Sequence, residues 1–347
     1  MRRRPWLLLA TLLVLLLLGA TLYWRAMSQQ LGAGFDAWVA DQRASGWTVT
    51  FSKPVAGGWP VAATLLIHKA DIAAGQPVIP ERLRWSADVV VLRISLLHPR
   101  RLEISAEGSQ ILQLGDGPEI PLTAASEQMV LPLKRGEPLQ TLSLAADNLR
   151  AEVPGSAGTA LAIARLRGEA DLNPASAQGE PAVSASLTAA EINLPAQVKW
   201  PFGPRVAELA IEAGLNGLLP HSGTVIEAAN EWRDNGGSLE IRHLQLVWGP
   251  LNLTGTATLA LDPQLQPMGA GTAHVVGYAE TLDALAAGGQ ISHSAATAAK
   301  AVLSLLAQSS DNGGPSEVEV PLALQYRTLS MRQVPIVRLP ELDWPPR

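Results

Sequence analysis

The segment Trp6–Trp24 (WLLLATLLVLLLLGATLYW) leaves the chain fewer choices than any other. It carries no charge, and Thr11 and Thr21 are its polar residues. Its roughly 19 residues, at about 1.5 Å each, match a hydrocarbon core of roughly 30 Å. Backbone groups in lipid must be bonded within the segment itself, so an open-ended span has to be a helix. Leu12 and Leu18 fall in its interior, while Trp6 at one end and Tyr23 with Trp24 at the other suit the two interfaces. Arg2, Arg3 and Arg4 precede it, which places residues 1–5 in the cytoplasm and the remainder across the membrane. The competing reading is a cleaved signal peptide. The apolar run exceeds the usual 7–15 residues, and Leu22-Tyr23-Trp24-Arg25 is bulky where a peptidase needs small side chains. A weak site near Gly19-Ala20 keeps that alternative open.

Beyond the anchor the pattern changes twice. Over residues 25–46 apolar side chains recur at helical spacing: Met27, Leu31, Phe35, Trp38 and Val39 share one face. This is read as a stalk helix leaving the bilayer, stopped by Gly46. From Trp47 the period becomes two. Ala87–Leu97 is apolar on both faces and reads as a central strand. Leu142/Leu144/Ala146, Val183/Ala185/Leu187 and Ala207/Leu209/Ile211/Ala213/Leu215 alternate with polar residues. In Leu251–Leu261, Leu251, Leu253, Ala257, Leu259 and Leu261 face one way and Asn252, Thr254, Thr256 and Thr258 the other. Glu317–Tyr326 repeats the pattern. Such alternation predicts antiparallel sheets with one wet face.

Three helices are expected late. Thr224-x-x-Glu227 is a capping box opening the first. Glu280–Ala287 is the second, stopped at Gly288-Gly289. Ile291–Ala307 is the third, with Ile291, Ala295, Ala298, Val302, Leu305 and Leu306 on its packed face. Turn formers cluster between Leu172 and Pro181, so the expected divisions are 47–172 and 181–340, each β-rich, with an extended tail over 341–347. The fold class expected is mainly β (β-rich α+β): antiparallel sheets forming a sandwich or a groove, a few late helices, one transmembrane helix and a stalk.

Composition narrows the function classes. Net charge is −5, with basic residues diluted along the chain, which argues against nucleic acid. There is no cysteine, so disulfides and thiol chemistry are excluded. Charged residues make 16% against 47% hydrophobic, below the usual quarter. Either the surface is rich in Ser, Thr, Gln and Ala, or an apolar face is incompletely covered.

Candidate chemistry is sparse. Histidines 68, 98, 221, 243, 274 and 293 show no ligand spacing, and no Gly-x-Ser-x-Gly elbow occurs. Gly269-Ala-Gly271 and Gly115-Asp-Gly117-Pro118 read as turns, and Asp311-Asn312-Gly313 lacks the other ligands of a calcium loop. Glu208/Glu212 and Glu317/Glu319 read as solvated strand faces rather than acid–base pairs. No catalytic, metal or cofactor residue is therefore expected, nor an enzyme. The apolar sheet face has two readings: a plain core, or a groove for acyl chains or another apolar ligand.

Three tryptophan–proline sites remain: Gly58-Trp59-Pro60, Trp200-Pro201 and Trp248-Gly249-Pro250-Leu251, followed by Gly255. A residue before proline is pushed towards extended backbone, so each site reads as the start or end of a strand. With the closing Pro335-Ile336-x-x-Leu339-Pro340, these sites resemble the signature of the domain of unknown function 2125 family of alphaproteobacteria. The resemblance spans the anchor to Pro340 and implies an inner-membrane anchor with a periplasmic domain. It carries no activity. The organisation is also similar, as fold analogy, to AsmA-like envelope proteins, whose grooved sheets are linked to lipid handling. Two functions are carried forward: binding or handling of a lipid or other apolar ligand in envelope maintenance, and a non-catalytic module scaffolding an envelope protein complex.

Overall fold

The computed structural model describes residues 4–74, 83–115, 117–133, 141–152, 160–173, 181–218, 225–306, 317–331, 334–342 and 344. Arg2, Arg3, His221, Thr224, the loop over 309–315 and most of the final tail, all noted in the sequence, fall outside them. The chain forms two compact units. One comprises Met1–Gln76, Arg82–Pro121 and Glu127–Leu139; the other comprises Pro77–Glu81, Leu122–Ser126 and Gln140–Arg347.

In the first unit, helix α1 (Arg4–Ala44) runs without a break through the predicted anchor and stalk. It stops where Gly46, at φ +86°, supplies the left-handed residue that an ending helix takes. Its N-terminal half stands clear of the fold, with residues from Leu9 to Tyr23 mostly exposed. From Met27 onward the stripe Met27, Leu31, Phe35 and Val39 is buried. Trp38, expected on that stripe, is instead 42% exposed and stacks against Phe35 at 6.2 Å. The buried positions repeat every four residues, and Trp38 falls at the flank of that narrow seam.

The seam packs on an antiparallel sheet. Strand β1 (Trp47–Thr50) and strand β2 (Val55–Gly57) both pair with β3 (Ala62–Ala74), which pairs with β4 (Leu83–Ser95) and onward to β5 (Arg101–Leu114). After β6 (Ile120–Thr123), β7 (Ser126–Pro132) pairs with β5. Val49, Ala63, Leu65, Ile67, Ala70, Ala87, Val90, Leu92 and Ile94 form the core under α1. The register skips Lys69 on β3 and Asp88 on β4, and shifts again beside Gly108 on β5. Ser109 N–H donates to the Asp88 carboxylate at 2.8 Å, and Gly108 takes φ +85° there. The buried phase of β4 therefore jumps from Trp85 and Ala87 to Val90, Leu92 and Ile94. The run read as apolar on both faces is partly a change of phase at this bulge, with Val89 and Val91 half-buried on the far side.

In the second unit the chain is an antiparallel meander. Strands β8 (Thr141–Glu152), β9 (Ala160–Leu172), β10 (Pro181–Asn193) and β11 (Arg205–Asn216) pair in sequence. Helix α2 (Val225–Asp234) leads to β12 (Ser238–Trp248), β13 (Leu251–Leu261) and β14 (Pro267–Val276). Helices α3 (Tyr278–Ala287) and α4 (His293–Leu306) precede β15 (Glu317–Gln325), β16 (Thr328–Met331) and β17 (Val334–Arg338). Each strand from β11 to β17 again pairs with the next, and β6 pairs with β8 through Leu122 and Thr123. Leu172–Pro181, the expected boundary, joins the neighbouring strands β9 and β10.

One local expectation changes. On α4, Ala296 is buried, while Ala295, Ala298 and Val302 of the predicted packed face are exposed. The polar residues His293, Thr297, Lys300 and Ser304 form a stripe along α4, and the covered residues Ala296, Ala299, Lys300 and Leu303 lie beside that stripe instead of opposite it; Lys300 pairs with Asp283 of α3 at 2.5 Å. At the chain's end, Leu342 N–H donates to Gln266 Oε1 at 2.9 Å and Trp344 Nε1–H donates to the Leu265 carbonyl at 3.0 Å.

Candidate functional site

The register of the second unit carries the alternation of each strand across the sheet. Leu144, Gly168, Leu187, Ile211, Leu244, Gly255, Ala273 and Val320 lie side by side in one row over β8–β15. The next row is Leu142, Ala170, Ala185, Ala213, Ile241, Ala257, Gly271 and Leu322. On the other side of the first row come Ala146, Leu166, Ala189, Leu209, Leu246, Leu253, Val275 and Val318. Every position in these rows is apolar or glycine. The intervening row reads Ser143, Glu169, Ser186, Glu212 and His243 on β8–β12. A period of two residues per strand, kept in phase by the pairing, produces this separation of faces.

The apolar face is unevenly covered. Ala146, Ala189, Ala273 and Val318 are buried, most of the others are half-buried, and Leu187 is 38% exposed. The cluster around Ala189, Ile192 and Val206 draws Leu161, Ile163, Leu166, Leu194, Leu209, Leu246 and Trp248. All of these belong to β9–β12 or to the connection after β10, so adjacent strands of one sheet supply this cluster.

A line of register interruptions crosses β8–β11. The pairing passes over Asn148 and Ala164 between β8 and β9, and over Glu191 and Ala207 between β10 and β11. Asn148 and Glu191 take φ +52° and +54°. At each of these positions one residue on either strand is left unpaired and the register beyond it is unchanged.

The two tryptophan–proline sites of this unit meet at one end of the sheet. Trp200 and Pro201 lie in the connection from β10 to β11, and Trp248-Gly249-Pro250 turns β12 into β13. Trp200 Nε1–H donates to the Pro195 carbonyl and Trp248 Nε1–H to the Gly203 carbonyl, each at 2.8 Å. Trp248 is 6.1 Å from Trp200 and stands edge-on to Phe202 at 5.2 Å, centroid to centroid. Gly249 has φ +56°, and a Cβ there would sit 2.8 Å from the Phe202 carbonyl oxygen. Sequence reasoning missed Phe202, because a lone phenylalanine in a turn carries no pattern. The third site, Trp59-Pro60, belongs to the first unit and precedes β3. There Trp59 Nε1–H donates to Thr21 Oγ1 at 3.2 Å, and Trp24 Nε1–H donates to the Ala62 carbonyl at 2.9 Å. Trp6, Leu12 and Leu18 are exposed on the free half of α1.

Charged groups on the sheets pair across strands. Arg167 donates to Asp147 at 2.7 Å and Ser126 donates to the same carboxylate at 2.9 Å, holding Asp147 below the usual aspartate range. Arg84 donates to Asp71 at 2.7 Å, which raises the Arg84 pKa. His274 Nδ1 lies 2.9 Å from a Glu317 carboxylate oxygen, and Glu319 and Glu212 are exposed. Among the described residues no three of His, Asp and Glu gather as a metal-binding group.

What these residues assemble is a β-rich protein with an apolar sheet face and one N-terminal helix long and apolar enough to span a membrane. The chain belongs to the family described as an uncharacterized protein conserved in bacteria, DUF2125, whose model matches residues 24–340. No curated protein and no solved structure matches it.

Proposed function

We propose that the protein is a non-catalytic, membrane-anchored binding module that receives the apolar chains of a lipid on the β8–β15 face. The observation that carries this reading is the unbroken apolar surface across eight paired strands, much of it only half-buried. Strands spaced about 4.8 Å apart make such a face roughly 35 Å wide. Soluble monomers rarely leave a continuous apolar patch of more than a few hundred Å² open to water. Each methylene removed from water on it contributes about 0.8 kcal/mol, so ten of them amount to on the order of 8 kcal/mol. The reading includes location: α1 spans the bacterial inner membrane with its N-terminus in the cytoplasm, and the sheets work in the periplasm, in envelope maintenance.

A benzophenone amino acid placed at Leu187 on the apolar face, and separately at Ser186 on the polar face, tests the binding surface in living cells. Irradiation is expected to give lipid adducts by mass spectrometry at position 187 and not at 186. Equal adducts at both positions, or none at 187, would overturn the reading. Reproducible protein adducts at 187 would instead support the module that scaffolds an envelope complex.

A further inference from the structure

The first unit presents a second apolar surface, and its place on the molecule says what covers it. Helix α1 leaves the fold at Trp24, whose indole is tied to the Gly57 and Ala62 carbonyls. One turn earlier, Thr21 holds the Trp59 indole. Between Arg4 and this point α1 measures roughly 30 Å, the thickness of a hydrocarbon core. The fold at the exit is therefore held within a turn of the end of the span, at interface depth. At that same end of the sheet, Trp59 is 50% exposed, Val61 65% and Leu97 86%. Leu96 N–H donates to the Val61 carbonyl, which joins the turn after β4 to this rim. The turn continues through His98 to Arg100 and Arg101, around a shallow depression of about 350 Å³.

Exposed tryptophan and aliphatic side chains beside arginines, around the root of an apolar helix, match the layered chemistry of a membrane interface. Aromatics sit at headgroup level, aliphatics go below, and guanidinium groups meet phosphate. We propose that the rim formed by Trp59, Val61, Leu97, Arg100 and Arg101 is an interfacial seat that rests on an anionic lipid surface. This rests on the reading of α1 as a transmembrane span and adds a contact that fixes the first unit against the bilayer instead of leaving it on a free stalk. The helix alone fixes depth; the rim fixes tilt as well.

The absence of cysteine makes the test direct. Single cysteines at Leu97, Leu13 and Tyr326, introduced into the full chain, are labelled with an environment-sensitive dye and reconstituted in vesicles of phosphatidylcholine with phosphatidylglycerol. Leu13 lies inside the span, and Tyr326 is 84% exposed in the second unit. Brominated lipid is expected to quench the labels at 13 and 97, at least twofold more than that at 326. Arg100→Glu with Arg101→Glu is expected to reduce quenching at 97 by at least half in these vesicles. A label at 97 as wet as the one at 326, with that at 13 in lipid, would overturn the seat and spare the anchor. A label at 13 in water would remove the anchor and the seat together. A label at 97 that is shielded from water but not quenched would assign the rim to a protein contact, against the proposal.

Discussion

Indole N–H groups recur as the fastening of this chain. Trp24, Trp200, Trp232, Trp248 and Trp344 each donate to a backbone carbonyl that belongs to a turn, a connection or a strand end. Without disulfides, such a bond supplies about 1 kcal/mol net beyond the area the ring buries. Charged residues fasten strands in the same way, and their effect depends on pH. Arg167 and Ser126 hold the folded-state pKa of Asp147 below its ordinary value. The Asp147 carboxylate therefore contributes stability above the ordinary aspartate pKa, and that contribution is lost as pH falls through the folded one. Asp147→Asn is expected to flatten the acid limb of the stability–pH curve, measured by chemical denaturation from pH 2 to 7. An unchanged acid limb would mean that the pair contributes nothing in solution.

Among the elements, α1 has two jobs in one helix. Its first half is mostly exposed, and its second half is buried through Met27, Leu31, Phe35 and Val39. Phe35 meets Phe51 edge-on at 5.0 Å. Phe35→Ala is expected to destabilise the protein by about 3–5 kcal/mol, as a buried aromatic truncated in place does, measured by denaturant unfolding of the full chain in detergent. A loss below about 1 kcal/mol would mean that the helix does not lean on the sheet. The helical stripe was legible because apolar residues three and four apart share one face of a helix, whereas residues three apart fall on opposite faces of a strand. The phase jump of β4 was not. Lys69, Asp88 and Gly108 are far apart in sequence, and only pairing of three strands brings these interruptions to one level. The face of α4 misleads for a different reason: its polar stripe of His293, Thr297, Lys300 and Ser304 points the packed side to the opposite face, whereas the fold buries Ala296 beside that stripe.

For the molecule as a whole, the proposed orientation rests on charge. Arg4 and the two arginines before it lie on one side of the apolar run, and translocation leaves such charge in the cytoplasm. An alkaline phosphatase joined after Arg347 is expected to be active in intact cells, where the enzyme folds only after export. A fusion that is inactive although expressed would reverse the proposed topology. The candidate face is a property of the whole molecule as well. Each strand's alternation could be read singly, as in Leu251–Leu261, but a row from Leu144 to Val320 exists only once the register aligns the strands.

The order of the residues was enough to specify a helix that fits a membrane, the class of sheet, and a polar and an apolar side for strands such as Leu251–Leu261. These are local properties, carried by unbroken hydrophobicity or by periods of 3.6 and 2 within a dozen residues. The assembled fold alone settled which faces align, which side of α4 turns inward, and that Trp200 meets Trp248 while Trp59 meets the helix. Those depend on pairing between residues distant in the chain, where a shift of one residue reverses a face and no local pattern records the choice.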